Sequence, residues 1–152
     1  MFDRAPADYC VMATGRETKL VTWSGQYSVG IARMDSEHQK LIGLVNDLYS
    51  AMLEGRGKSI MGSTLEGMAT YAMMHFANEE RLMRVHSYPG YKAHKAEHDK
   101  LARQVKRLED EFRAGKPIVT REVMNFLQHW LVDHIVGVDK KYTAHLQAAG
   151  VK

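Results

Sequence analysis

Apolar side chains recur every third or fourth residue through four long stretches of the chain, and short polar or glycine- and proline-containing segments separate these stretches. This period is that of an amphipathic α-helix, which buries one face and exposes the other. The chain has only three prolines, so few residues interrupt such helices. We therefore predict four α-helices, at about residues 36–53, 59–86, 89–114 and 120–148.

Short connections between four helices of this length favour an antiparallel up-down-up-down bundle. The predicted fold class is therefore all-α, with one four-helix bundle domain over residues 23–152. Residues 1–22 show no strong period, and we expect them to form an extended N-terminal arm. The expected start signals are Asp35 as the cap of the first helix, a capping box of Ser63 and Glu66 in the second, and Pro89 in the first turn of the third.

Seven potential metal donors fall on the predicted apolar faces: His38, His75, Glu79, His94, His98, His134 and Asp139. Residues four apart lie on one face of a helix, so single helices can present two of these donors together. Neutral imidazoles and carboxylates without partners would be costly in a core, whereas a shared cation would satisfy all of them. Nitrogen and oxygen donors together suit a transition metal better than magnesium or calcium. The pattern predicts a metal site across the bundle, and zinc, manganese and iron all remain open.

One interval within this set is irregular. His134 and Asp139 are five residues apart, which places them about 140° apart on a regular helix. One extra residue in the apolar pattern predicts a π-bulge around residues 135–138. Four other groups fall off the apolar faces or at a helix end, and we expect them at the surface: His86, His129, His145 and Glu80.

Composition limits the classes of protein to consider. The 152 residues are 45% hydrophobic and 26% charged, as in a soluble globular domain, and no apolar run is long enough to cross a membrane. No signal peptide is evident, so we expect a cytoplasmic protein without membrane insertion. The net charge of +3 is spread over mixed charges, which argues against nucleic-acid binding. Cys10 is the only cysteine, so we expect a free thiol on the arm, and we expect a monomer.

Several segments that carry these donors resemble hemerythrin domains. They are WSGQYSVGIARMDSEHQKL at the first helix, HFANEE from His75, YPGYKAHKAEHDKL from Tyr88 and HWLVDHIVGVDKKY from His129. The resemblance covers about residues 20–152, and the C-terminal end is similar to that of single-domain bacterial hemerythrins. All seven donors match the family's ligands in type and order.

The resemblance implies a non-haem di-iron centre that binds dioxygen reversibly, rather than an enzyme. By position, His94, His98 and His134 would hold one iron and His38 and His75 the other. Glu79 and Asp139 would bridge the two ions together with an oxo or hydroxo group. Counting six positions on each iron leaves one open position, on the iron with two histidines, where dioxygen would bind.

An apolar wall should keep water and protons away from that open position. We expect Phe76, Leu131 and Ile135 to line this dioxygen pocket, although plain core packing would explain them equally well. Three other functions remain open: a di-iron oxidase or peroxidase, iron storage, and sensing of oxygen or nitric oxide through a partner. If the protein supplies oxygen, an oxygen-consuming enzyme is a candidate recipient.

Overall fold

The four predicted helices are present and form an all-α bundle of the predicted class. The computed structural model describes residues 19–117 and 121–152, with the side chains of all of these except residues 121 and 122. The long helices are α1 (Ala32–Leu53), α2 (Lys58–Val85), α3 (Tyr91–Arg113) and α4 (Arg121–Gly137). A short helix, α5 (Thr143–Ala148), follows α4, and two 3₁₀ helices occupy Gly25–Tyr27 and Asp139–Tyr142.

The three predicted start signals are wrong. Helix α1 begins at Ala32, one turn before the residue expected to cap it; Asp35 instead accepts hydrogen bonds from the Val29 N–H and the Ser28 hydroxyl. Helix α2 begins at Lys58, and its Ser63 hydroxyl donates to a carbonyl of its own first turn. Pro89 lies just before α3 rather than within its first turn.

The predicted π-bulge is also wrong, since the fourth helix breaks at that point. Helix α4 ends at Gly137, and the last bond across the break joins the Val138 N–H to the His134 carbonyl oxygen with ordinary α-helical spacing. The chain then continues as the 3₁₀ helix Asp139–Tyr142, whose tighter winding changes the direction of the side chains that follow. A break in the helix, rather than an inserted residue, turns Asp139 towards the interior.

The segment before α1 packs along the bundle. The Asn46 side chain of α1 accepts from the Leu20 and Val21 N–H groups and donates to the Val21 carbonyl. The end of the predicted arm is thus attached to α1, whereas the rest of the arm and Cys10 lie outside the described residues. No helix in the described parts of the chain is long and apolar enough to span a membrane.

Candidate metal centre

The structure brings all seven predicted donors together in the middle of the bundle. Helix α1 supplies one of them, α2 two, α3 two and α4 one, and the 3₁₀ helix after α4 supplies the last. Every one is buried, with exposed fractions between 0% and 7%. They form two groups that share both carboxylates, His38–His75–Glu79–Asp139 and Glu79–His94–His98–His134–Asp139.

Each shared carboxylate directs one oxygen towards each group. Glu79 Oε1 lies 3.5 Å from His75 Nε2 and 3.6 Å from His38 Nε2, while its Oε2 lies 3.1 Å from His98 Nε2. Asp139 is arranged in the same way: its Oδ2 is 3.1 Å from His38 Nε2, and its Oδ1 is 2.9 Å from His134 Nε2. This arrangement suits two cations side by side with both carboxylates between them.

Three imidazole nitrogens converge in the larger group. His98 Nε2 is 3.1 Å from both His94 Nε2 and His134 Nε2. Unprotonated ring nitrogens facing one another repel unless a proton or a cation lies among them. Two donors at right angles around one ion, each about 2.1 Å from it, lie about 3.0 Å apart. The observed separations therefore fit a single ion with these nitrogens at right angles.

Several buried donor atoms have no hydrogen-bond partner among the described residues. At the site these are both ring nitrogens of His38, His75 Nε2, Glu79 Oε2 and both oxygens of Asp139. Buried polar atoms are nearly always satisfied, and leaving so many unpaired would cost much of the stability of a domain. The donor set thus has the chemistry and spacing to hold metal cations.

The electrostatics of the metal-free cluster show how strongly it attracts positive charge. Burial alone lowers the pKa of His38, but the carboxylates of Asp139 and Glu79 beside its ring outweigh this and raise the pKa to about 10. The same opposing effects raise the pKa of His94 to about 9. Burial pushes the pKa of both carboxyls up, yet the surrounding histidines hold it below its usual range. Without metal, protons take the place of the cations.

Two further carboxylates lie behind histidines of the cluster, and sequence reasoning missed both. Glu37 Oε2 accepts from His75 Nδ1 at 2.8 Å, and its other oxygen accepts from Asn78 and Arg33. Glu80 Oε1 accepts from His98 Nδ1 at 3.0 Å. A histidine that donates through Nδ1 presents an unprotonated Nε2 to a metal.

The expectation that Glu80 faces solvent is therefore wrong, since its side chain is only 16% exposed. Its rotation away from Glu79 points it at α3 rather than at water. The useful sequence signal was adjacency, because each of these carboxylates is next to a residue of the cluster: Glu37 to His38 and Glu80 to Glu79.

A buried tyrosine, Tyr142, contacts the cluster. Tyr142 is 1% exposed, its hydroxyl donates to Glu79 Oε1 at 2.5 Å, and its ring stacks on His94. Burial and the nearby carboxylates raise the pKa of Tyr142 well above its ordinary value, so the phenol stays protonated and remains a donor. This contact, too, was missed, because Tyr142 follows a break that the sequence did not reveal.

The other three histidines lie outside the cluster. His129 is exposed, as expected, and its ring contacts the Asn125 carbonyl. His145 is half-buried rather than at the surface, because its Nε2 donates to the His86 carbonyl oxygen. His86 is also half-buried, at the C-terminal cap of α2.

A small internal cavity of about 10 Å³ adjoins the centre. Its apolar side is lined by the three residues expected in the gas pocket, Phe76, Leu131 and Ile135. Leu41, Leu101 and Trp130 line the same side. On the polar side it reaches both histidines of the smaller group, His38 and His75, as well as His134 and Asp139. The other two histidines of the larger group do not line it. The cavity thus borders both histidines of the smaller group and one of the three histidines of the larger group.

Comparison with known proteins identifies relatives of this chain in both sequence and structure. Residues 29–146 match the family model described as the hemerythrin HHE cation binding domain. The chain is 35% identical over 130 residues to a bacteriohemerythrin of Methylococcus capsulatus, covering 85% of this chain and 98% of the relative. It is 32% identical to a bacteriohemerythrin of Stenotrophomonas maltophilia, covering 85% and 83%. A crystal structure of wild-type hemerythrin superposes with a TM-score of 0.78 at 35% identity, covering 84% and 98%.

Proposed function

The chain belongs to the hemerythrin family, and from this premise we propose that it binds dioxygen reversibly at a non-haem di-iron centre. The three-histidine group, His94, His98 and His134, would hold one iron. His38 and His75 would hold the other, and the two carboxylates would bridge the pair. Iron bound in this way supplies the two electrons that dioxygen accepts on binding and returns on release.

The position of the cavity is the observation that carries this proposal. It borders both histidines of the smaller group, His38 and His75, but only one of the three in the larger group, which supports binding of a small ligand on the two-histidine side. Leu131 and Ile135 are each 2% exposed and Phe76 is 5% exposed, so the apolar wall is closed to solvent. Such a wall excludes the water and protons that would turn bound oxygen into released superoxide or peroxide.

The charges around the centre also support the proposal, because they nearly cancel. Glu79, Asp139 and a hydroxide would offset most of the charge of two ferrous ions, and Glu37 and Glu80 place two further negative charges beside the cluster. Arg33 pairs with the first of these at the surface. A nearly neutral set of charges is what an apolar core tolerates.

The proposal is tested by metal analysis combined with optical spectra through anaerobic reduction, oxygenation and degassing. Two irons per chain and a charge-transfer band that appears with oxygen and disappears on degassing are the expected results. Irreversible oxidation in a single cycle would instead indicate an oxidase, and uptake of more than two irons would indicate storage. An oxygen-consuming enzyme would be the natural recipient of the released gas.

A further inference from the structure

Asp139 is held differently from the other six donors. Those six lie within α1 to α4, helices of 17 to 28 residues. Asp139 begins a four-residue 3₁₀ helix beyond the break at Gly137, and the six-residue helix α5 follows. Isolated helices this short have no stability of their own in water. The position of Asp139 therefore depends on what fastens residues 138–150, which we call the C-terminal segment.

Two side chains of the C-terminal segment fasten it to the loop before α1. The Thr143 hydroxyl donates to the Val29 carbonyl oxygen at 2.7 Å, and Gln147 Nε2 donates to the Gly30 carbonyl oxygen at 2.9 Å. The loop is itself fixed to α1, because Asp35 accepts the Val29 N–H. We call the bonds from Thr143 and Gln147 the latch. A third bond, from His145 to the end of α2, fastens the same segment on another side.

The close approach of the loop to α5 explains one glycine. Gly30 has a φ of +70°, and a Cβ there would lie 2.5 Å from Gln147 Nε2. A side chain at this position would therefore push against the latch, in a backbone conformation that residues other than glycine rarely adopt. Glycine allows the loop carbonyl to lie within hydrogen-bond distance of Gln147.

Any metal ion that enters or leaves the centre needs an opening, since all seven donors are buried. Separating two long helices would disrupt the core along their whole length. Release of the C-terminal segment would expose less, although it must uncover Tyr142 and Leu146, which are each 1% exposed. It would remove Asp139 and the Tyr142 hydrogen bond to Glu79 in one movement, so one of the two shared carboxylates would leave the centre and the other would lose a hydrogen-bond donor. Proteins open locally at their least stable elements.

We propose that the C-terminal segment opens locally to let metal ions enter and leave the centre, and that Thr143 and Gln147 are positioning residues that hold it in the closed state. The inference rests on the proposed function only in requiring that the cluster holds metal. Each latch bond favours the closed state by about the worth of one hydrogen bond, a factor of about five in the opening equilibrium.

The test uses the full chain loaded with ferrous iron without oxygen, and an excess of a coloured ferrous chelator. Thr143→Val keeps the shape of the side chain and removes the hydroxyl, and Gln147→Met keeps its length and removes the donor. Each is expected to speed the release of iron about fivefold, and the combined variant by about 25-fold. Thr143→Ser retains the hydroxyl and should release iron at close to the wild-type rate.

Thr64→Val is the matched control. The Thr64 hydroxyl also donates to a carbonyl, that of Ile60, but it lies about 20 Å along α2 from Glu79. Its removal should leave the release rate unchanged. Equal release from the wild type and the latch variants would overturn the proposal. The alternative route is a surface recess between α3 and α4 that is lined by Asp133 and reaches His134. Release that changes with Asp133→Asn but not with the latch variants would also overturn the proposal.

Hydrogen exchange of the metal-free protein gives a readout that does not depend on iron. Amides of residues 138–150 should exchange faster in the latch variants, whereas those of α1, α2 and α3 should not change. Faster exchange in all helices alike would mean that the latch contributes only general stability, and the proposal would fail. If the wild type takes up no iron, the proposed function fails, and the exchange pattern still decides whether the latch holds the segment.

Discussion

Loading the metal-free protein with a divalent ion at pH 8 should release about two protons from His38 and His94. In the metal-free cluster, the carboxylates of Asp139 and Glu79 beside the rings outweigh the effect of burial and raise the pKa of His38 to about 10 and that of His94 to about 9. Both rings are therefore almost fully protonated at pH 8, whereas a metal binds only the neutral ring. Ordinary histidines, with a pKa of about 6.5, would release almost none at this pH.

The count should fall with pH in a defined way. At pH 9.5 His94 is mostly neutral and His38 still mostly charged, so the two together should release about one proton. Zinc is the suitable probe because it stays divalent, and a pH-stat in weakly buffered solution measures the protons directly. A bridging hydroxide would add a constant proton at both pH values, so the difference between them is the decisive quantity.

Two results would refute this reasoning. One is a proton release at pH 8 no greater than that at pH 9.5. The other is the same proton release when zinc is added to protein that is already saturated with metal. His129→Gln is the control, since His129 is exposed and outside the cluster, and it should leave the count as it is. Acid is expected to displace the metal for the same reason, because protons and metal compete for these nitrogens.

Stability of the metal-free protein should show the same coupling. A raised pKa stabilises the fold fully below about pH 6.5, and this contribution is lost as the pH rises through 9 to 10. Urea unfolding of the metal-free protein at pH 7 and pH 10 should therefore differ by a few kcal/mol, with the lower pH more stable. The metal-loaded protein should not lose stability in this range, because its histidines are already neutral.

Three substitutions test the surroundings of the centre. Leu131→Ala should cost about 3 kcal/mol in urea unfolding and speed autoxidation by admitting water, and an unchanged autoxidation rate would argue against the pocket. Glu80→Gln keeps an acceptor for the His98 ring but removes a charge, so it should raise the reduction potential of the loaded centre in spectroelectrochemical titration; an unchanged potential would show that only the hydrogen bond matters. Tyr142→Phe removes a donor to buried Glu79 and should lower the free energy of unfolding by about 1.5–3 kcal/mol, whereas a neutral effect would mean that the contact contributes nothing.

The fold was predictable because its signal is spread over many residues. Four helices and a buried stripe of donors follow from a period repeated along the whole chain, so single errors do not matter. Helix starts depend on one or two side chains, and tertiary contacts can redirect these. Aspartate is a residue type that often caps helices, yet Asp35 instead accepts a hydrogen bond from the Val29 N–H and so fixes the loop before α1.

The convergence of the seven side chains was predictable by the same argument, but the contacts that surround them were not. The irregular interval before Asp139 revealed a distortion, and only the structure shows that it is a break followed by a 3₁₀ helix. Glu80 looked like a solvent-facing residue because its helix position was judged without the neighbouring helix. A partner 18 residues away, His98, cannot be read from periodicity along a single helix.

The carboxylates behind the histidines have a consequence for protein design. Glu37 is next to His38 on α1 but serves His75 on α2, and Glu80 is next to Glu79 on α2 but serves His98 on α3. Helices α1 and α2 therefore each carry a carboxylate that orients a histidine ring on the next helix. A designer who grafts only the seven donors onto another bundle would leave these rings free to bind metal through either nitrogen. The smallest transplantable unit is therefore nine residues, and α1, α2 and α3 have to be transplanted together.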